Sequence, residues 1–149
     1  MATVLDMIEN INALDIHELA VNAIMSTEEA MVNLNREQLT EGLDSRGHKL
    51  KPTYGSKAYA TKKAAQNPKP GKWNPDLILT GAFVESFKVS LSGDDLKFEA
   101  SDIKAPDLLE KYGDDVMGLM DTQQEHYNNN IFYPEFAGNI EHETGLKFQ

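Results

Sequence analysis

The side chains best placed to do chemistry in this chain are cations and aromatics. Between Arg46 and Lys72 stand eight basic residues, Arg46, Lys49, Lys51, Lys57, Lys62, Lys63, Lys69 and Lys72, with no Asp or Glu among them. Tyr54, Tyr59 and Trp73 are interleaved with them or follow directly. The other 122 residues hold 6 bases and 24 acids, so the block carries a formal +8 against −18 for the remainder. Cations with exposed rings recognise anionic surfaces, either a nucleic-acid backbone whose bases stack on the rings or an acidic protein face. A second copy of this acidic chain is an economical acidic face, and head-to-tail contact between unlike faces closes into a ring when the rotation allows. A solvated loop with a charge bias is the plain alternative.

Residues suited to bond-making chemistry are sparse. His17, His48, His126 and His142 form no HExxH or other close pair. His142 lies between Glu141 and Glu143, whose side chains diverge on either a helix or a strand. Asp94-Asp95 and Asp114-Asp115 sit beside turns and read as solvated turn acids. No GxSxG elbow or GxxxxGK[ST] phosphate loop is present. The chain has no cysteine, which removes disulfides, zinc–thiolate sites and Cys nucleophiles. The expectation is a protein that is not an enzyme, with no catalytic residue, no metal and no cofactor.

The elements that must carry the basic block are legible from periodicity. Leu14, Leu19, Ala20, Ala23, Ile24, Thr27, Met31, Leu34 and Gln38 recur at helical spacing and predict one long helix, closed by Gly42. Asp6, or less favourably Thr3, caps a short start before it. Residues 42–75 are rich in Gly and Pro and read as an extended basic arm, with a short helix at Ser56–Ala65. Thr80 caps a brief helical turn with Phe83, Val84 and Phe87 on one face. From Phe87 the period falls to two, and Ser92-Gly93-Asp94-Asp95 turns the chain into Leu96, Phe98 and Ala100, which predicts a hairpin with one apolar face. Pro106 opens a short helix that Gly113 ends. Val116, Met117, Leu119 and Met120 suggest a third strand. Asp121, with Gln124 completing a capping box, starts a last helix interrupted near Pro134, and GLKFQ reads as a tail.

At 149 residues with a net charge of −10, the chain is expected to be one domain, 1–149, with the arm at 42–75 and a helical region from 121. The fold class is α+β: a long N-terminal helix packed on a small antiparallel sheet, an extended basic loop and a C-terminal helix. MATVLDMIENINALD has no basic n-region or long apolar run, so neither a signal peptide nor a membrane partner is expected.

PDLILTGAFVESFKVSL at 75–91, then LKFEASD and LLEKYGDDVMGL at 108–119, resemble tailed-bacteriophage head–tail connector and tail-completion proteins. The resemblance spans roughly residues 15–120 and rests on Thr80, Gly81, Phe83, Ser86 and Phe87, with Tyr112 and Gly113. It implies a structural role in the virion, with copies of the chain forming a neck or tail ring against portal, adaptor or tail proteins. The Tyr112-Gly113-Asp114-Asp115 continuation departs from the aromatic-glycine ending of many tail-completion proteins, and the last 30 residues have no clear counterpart. The other reading of the basic segment is a nucleic-acid-associated packaging or regulatory protein using Lys49, Lys51, Lys57, Lys62 and Lys63.

Overall fold

The computed structural model describes residues 3–147 and is α+β, largely helical with one two-stranded antiparallel sheet. Its elements are α1 (Val4–Asn12), α2 (Ile16–Ser26), α3 (Glu28–Thr40), α4 (Lys57–Gln66), α5 (Ala82–Glu85), β1 (Phe87–Ser92), β2 (Asp95–Ala100), α6 (Ala105–Tyr112), α7 (Asp121–Tyr127) and α8 (Tyr133–Thr144). The chain forms two compact units, Met1–Ala30 with Glu125–Gln149 and Met31–Gln124. Phe148 and Gln149, the end of the expected tail, lie outside the described residues, as do Met1 and Ala2.

In the first unit, α1 is started by Thr3 rather than Asp6. The Thr3 hydroxyl accepts the Asp6 N–H at 3.1 Å and the Asp6 carboxylate accepts the Thr3 N–H at 2.8 Å, a reciprocal capping box. The expected single long helix is broken at Thr27, which separates α2 from α3. Ser26 and Thr27 hydroxyls both donate back to the Ala23 carbonyl, at 3.1 and 2.7 Å. Such back-bonding competes with the helical ladder and bends it. Thr27 also shares a 2.8 Å hydrogen bond with the hydroxyl of the buried Tyr127. The helix from Asp121 is not interrupted near Pro134. A wide π turn at Asn128–Phe132 joins α7 to α8, and Pro134 falls in the first turn of α8. The wider turn absorbs the ring and the missing donor of proline without a break.

The second unit is built around the buried face of α3: Met31, Val32, Leu34, Asn35, Gln38 and Leu39. The helix ends in a Schellman motif, with Leu43 N–H bonded to Gln38 C=O and Gly42 N–H to Leu39 C=O. Gly42 has φ +74°, and a Cβ there would lie 2.6 Å from Pro70 Cβ, so both backbone and packing require glycine. The expected hairpin forms, with Phe87 opposite Ala100, Val89 opposite Phe98 and Leu91 opposite Leu96. Its two-residue connection places Gly93 first with φ +64°, as a type II′ turn favours. Phe87 and Val89 are buried, while Leu96 near the tip is exposed. Arg36 donates to the Val84 carbonyl at 2.8 Å and ties α5 to α3 at the hairpin's entry.

Residues 116–120 are not a third strand. A short 3₁₀ turn at Asp114–Val116 precedes them, and their peptide groups bond to side-chain amides instead. Asn35 donates to the Val116 carbonyl at 3.1 Å and accepts the Gly118 N–H at 3.0 Å. Gln38 donates to the Gly118 carbonyl at 3.0 Å and accepts the Met120 N–H at 2.9 Å. The two amides, three residues apart on α3, act as the edge of a strand for alternate residues of this segment. The next helix then starts from Met120, whose carbonyl accepts the Gln124 N–H at 2.9 Å, so Asp121 is the first helical residue rather than the cap.

Candidate docking site

The Gly/Pro-rich segment is pinned to the second unit along its length. Asp44 accepts the backbone N–H groups of Arg46 and His48, both at 2.9 Å, and Leu43 bridges to Lys49. Leu50 is 2 % exposed and anchors the following stretch. Tyr54 N–H bonds to the Trp73 carbonyl at 2.9 Å, which closes the segment on itself. Asn67, after α4, donates to the Thr40 carbonyl at 2.7 Å and to Asp76 at 2.9 Å. The short helix expected at Ser56–Ala65 forms one residue later, and Ser56 is its cap, accepting the Tyr59 N–H at 3.3 Å.

This scaffold presents most of the basic residues to solvent. Arg46, Lys49, Lys51, Lys57, Lys62, Lys69 and Lys72 are exposed. Arg46 lies 3.5 Å from the exposed Asp115, a pairing worth little in water. Lys49 donates to the Glu41 carbonyl at 3.0 Å. Lys72 lies over the half-exposed Trp73 ring, 5.9 Å from its centroid.

Lys63 departs from the set. It is buried, its ammonium lies 2.9 Å from Asp76 Oδ1, and it also donates to the Ile78 carbonyl. It is therefore a structural cation and not a surface contact residue. Asp76 in turn accepts the Ile78 N–H at 2.9 Å and the Asn67 amide. A charge taken out of water needs a partner and further hydrogen bonds, and this pair has both. Sequence reasoning had no role for Asp76. The available signal was that Asp76 is the first acid after Asp44, beside the apolar run Leu77-Ile78-Leu79.

The same loop walls a pocket of about 160 Å³. Tyr54, Tyr59 and Lys63 of the basic segment line it together with Thr80, Gly81, Phe83 and Tyr112, so residues far apart in sequence meet at one place. Tyr54 and Tyr59 pack edge to face with centroids 5.0 Å apart, as do Phe83 and Phe87. Burial pushes the Tyr54 phenol well above its ordinary pKa, with the negative charge of Asp76 and the neighbouring Tyr59 acting in the same direction. Leu77, which also lines the pocket, has φ +61°, a conformation costing about 1–3 kcal/mol for such a residue. Thr80 is not the cap of α5: Gly81, at φ +87°, holds that position with no side-chain cap, and the Thr80 hydroxyl only accepts a long 3.4 Å contact from the Ala82 N–H. Ser86 Oγ donates to the Phe83 carbonyl at 2.7 Å. Gly113, which is not among the pocket-lining residues, ends α6, its N–H donating to the Leu109 carbonyl at 2.8 Å.

The acids and histidines are scattered. Asp94 and Asp95 are exposed at the hairpin turn, and Asp114 and Asp115 in the 3₁₀ turn. Among the described residues no three His, Asp or Glu side chains gather as a metal-binding set, and no helix is long and apolar enough to cross a membrane. Comparison of the chain with protein-family models, curated proteins and solved structures finds no match.

Charge divides along the two units. Met1–Ala30 with Glu125–Gln149 holds ten acids against one base, Lys147, a formal −9. Met31–Gln124 holds fourteen acids against thirteen bases, a formal −1, with its cations concentrated in the 46–72 surface. The exposed cations of the 46–72 surface are chemically suited to binding an anionic partner.

Proposed function

We propose that this chain is a non-catalytic assembly subunit of a tailed-bacteriophage particle, forming a ring at the neck or tail with portal, adaptor or tail proteins as neighbours. The observation that carries the reading is the division of charge: a strongly acidic unit and a unit with a preformed basic surface in one chain. Opposite potentials on one molecule orient encounters between copies and favour head-to-tail association over like-to-like contact. A surface pinned by Asp44, Leu50 and Asn67 also loses less conformational entropy on docking than a free tail would. The connector-like relation of N-terminal helix, hairpin and basic segment is part of the same proposal.

Purified particles from cells expressing a tagged chain test it. The expected result is stoichiometric incorporation and density at the neck or tail in cryo-electron microscopy. Absence from the purified particle overturns the reading.

Trp73, half exposed beside Lys72, favours a second reading in which the basic surface follows a nucleic-acid strand and stacks a base. Binding that weakens steeply with salt and is lost in a Lys57→Glu/Lys62→Glu variant supports it; no binding at low salt removes it.

A further inference from the structure

The hairpin leaves the outer edge of β2 bare. Gly93 and Asp94 form a two-residue connection, so the closing pair Ser92–Asp95 is hydrogen-bonded and bonded pairs alternate from there. The Ser101 N–H, bonded to the Ser86 carbonyl, continues the same alternation past the strands. Lys97 and Glu99 therefore turn their peptide groups toward β1, whereas Leu96, Phe98 and Ala100 turn theirs away from it. Among the described residues no backbone hydrogen bond meets those outward groups. Leu96, Lys97 and Phe98 border an open depression of about 710 Å³ together with Leu109, Met117 and Leu119, which leaves room for a strand beside apolar side chains.

The edge is complementary to a second copy of itself. An antiparallel β2 set with Phe98 opposite Phe98 brings Leu96 opposite Ala100, and all the outward peptide groups of both strands are then paired. The same register puts Lys97 opposite Glu99 at the positions without backbone bonds, where facing side chains lie closest. Within one copy Lys97 and Glu99 are already 3.5 Å apart and both are exposed, so pairing closes a square of alternating charge. Lys88, opposite Glu99 on β1, adds a further cation beside that acid. Asp95 then faces Ser101, and the Asp102 carboxylate is engaged by the Lys104 N–H at 3.0 Å. Asp94 stays in the turn, and Asp114 is the other charged residue lining the depression. Like charges meet only on the diagonals, roughly 7–8 Å apart. A shift of the register toward the turn sets Phe98 against Asp94, and a shift the other way loses both ion pairs.

We infer that β2 is a self-pairing edge, through which two copies of this chain join about a two-fold axis at Phe98 into one antiparallel sheet. A two-stranded hairpin is marginal by itself, and doubling it gives a sheet wide enough to be stable over one apolar face. A lysine on an edge strand ordinarily discourages pairing, but here Glu99 of the second copy answers it. Backbone bonds supply the affinity, and the Lys97–Glu99 pairs select the register. Pairing uses up this edge on each copy, so the contact closes at two. It lies on the Met31–Gln124 unit, whose formal charge is only −1, where repulsion between copies is weakest. The contact goes beyond the assembly reading and does not rest on it.

Sedimentation velocity of the purified full chain from micromolar to millimolar concentration is expected to show a monomer–dimer equilibrium. Lys97→Glu and Glu99→Lys each set like charges opposite one another and are each expected to weaken the dimer roughly tenfold or more. Mixed one to one, the two variants are expected to pair with each other, since every direct contact between them joins opposite charges. Amide exchange reads the bonds residue by residue. Leu96, Phe98 and Ala100 are expected to gain protection as concentration rises, whereas Lys97 and Glu99 stay protected at every concentration. Ala100→Pro removes an outward donor and no bond of the β1–β2 ladder, so it is expected to give a folded monomer and serves where a charge variant loses its fold. A wild-type chain that stays monomeric throughout overturns the pairing. So does a dimer whose Leu96, Phe98 and Ala100 amides stay unprotected, an Ala100→Pro chain that dimerises as tightly as the parent, or a mixture of folded charge variants that fails to pair.

Discussion

Lys63 Nζ lies 2.9 Å from Asp76 Oδ1, and both side chains are almost wholly shut off from solvent. The pair fixes the loop that walls the pocket, because the lysine also bonds the Ile78 carbonyl and the aspartate also bonds the Ile78 N–H. Between those two anchors the chain passes through Leu77 in its left-handed conformation. The cluster is thus a clamp across a strained turn, and it converts one of the eight cations of the basic block into scaffolding.

Removing one partner strands the other charge. Asp76→Ala is expected to destabilise the protein by about 3–5 kcal/mol, and Lys63→Met by a comparable amount. The double variant Lys63→Met/Asp76→Leu is expected to lose clearly less than the two single losses added together, because neither charge is then left alone. Urea unfolding measures all three. A loss of about 1 kcal/mol or less for Asp76→Ala would place the pair with ordinary surface bridges and refute the clamp.

The Asn35 and Gln38 amides make a residue-specific prediction. Asn35→Leu strands the Val116 carbonyl and the Gly118 N–H, and Gln38→Leu strands the Gly118 carbonyl and the Met120 N–H. Each stranded buried group is expected to cost about 1–3 kcal/mol. Amide exchange separates the two: Asn35→Leu accelerates Gly118 more than Met120, and Gln38→Leu does the opposite. Equal acceleration at both sites in both variants would mean that the segment opens as one piece.

Gly42→Ala is expected to cost about 2–4 kcal/mol, the sum of a left-handed backbone penalty and overpacking against Pro70. Gly55 supplies the contrast, since a Cβ there meets nothing within 4 Å and its φ is not positive. Gly55→Ala is expected to stay within about 0.5 kcal/mol of the parent. Thermal unfolding of the two variants side by side gives the comparison.

Alkaline pH probes the buried phenols. Tyr54 is raised by burial first, and Tyr127 is raised by burial against an opposing hydrogen bond from Thr27. Above the ordinary tyrosine pKa of 10.0 the unfolded chain releases these protons while the folded chain keeps them. The folded state is therefore favoured fully below that pH and loses the advantage as pH rises through the folded values. Ultraviolet titration should show tyrosinate absorbance arriving late, with Tyr54→Phe removing one late component. A midpoint stability that is flat across the alkaline range would contradict the assignment.

Features set by neighbours within a few residues were legible in the sequence. Pro106 opening α6, Gly42 after α3 and the alternation on both sides of Gly93 each depend on backbone geometry over one or two turns of chain. The start of α1 is locally ambiguous between Thr3 and Asp6. Either residue can cap, and the choice depends on which one adopts the extended backbone conformation.

What the sequence by itself determined was the charge division, the hairpin, the helix ends at Gly42 and Gly113 and the exposed character of most of the basic surface. The tertiary structure alone decided the rest. Thr27 breaks a helix that its apolar spacing supports, because hydroxyls bond backward to Ala23 and across to a tyrosine 100 residues away. Asn35 and Gln38 serve a segment some 80 residues downstream, so their role as a surrogate strand edge has no local signature. Lys63 reads as one more surface cation until the fold brings Asp76 beside it. The physical reason is the same in each case: hydrogen bonds and ion pairs between distant residues gain their strength from burial, and burial is a property of the packed chain.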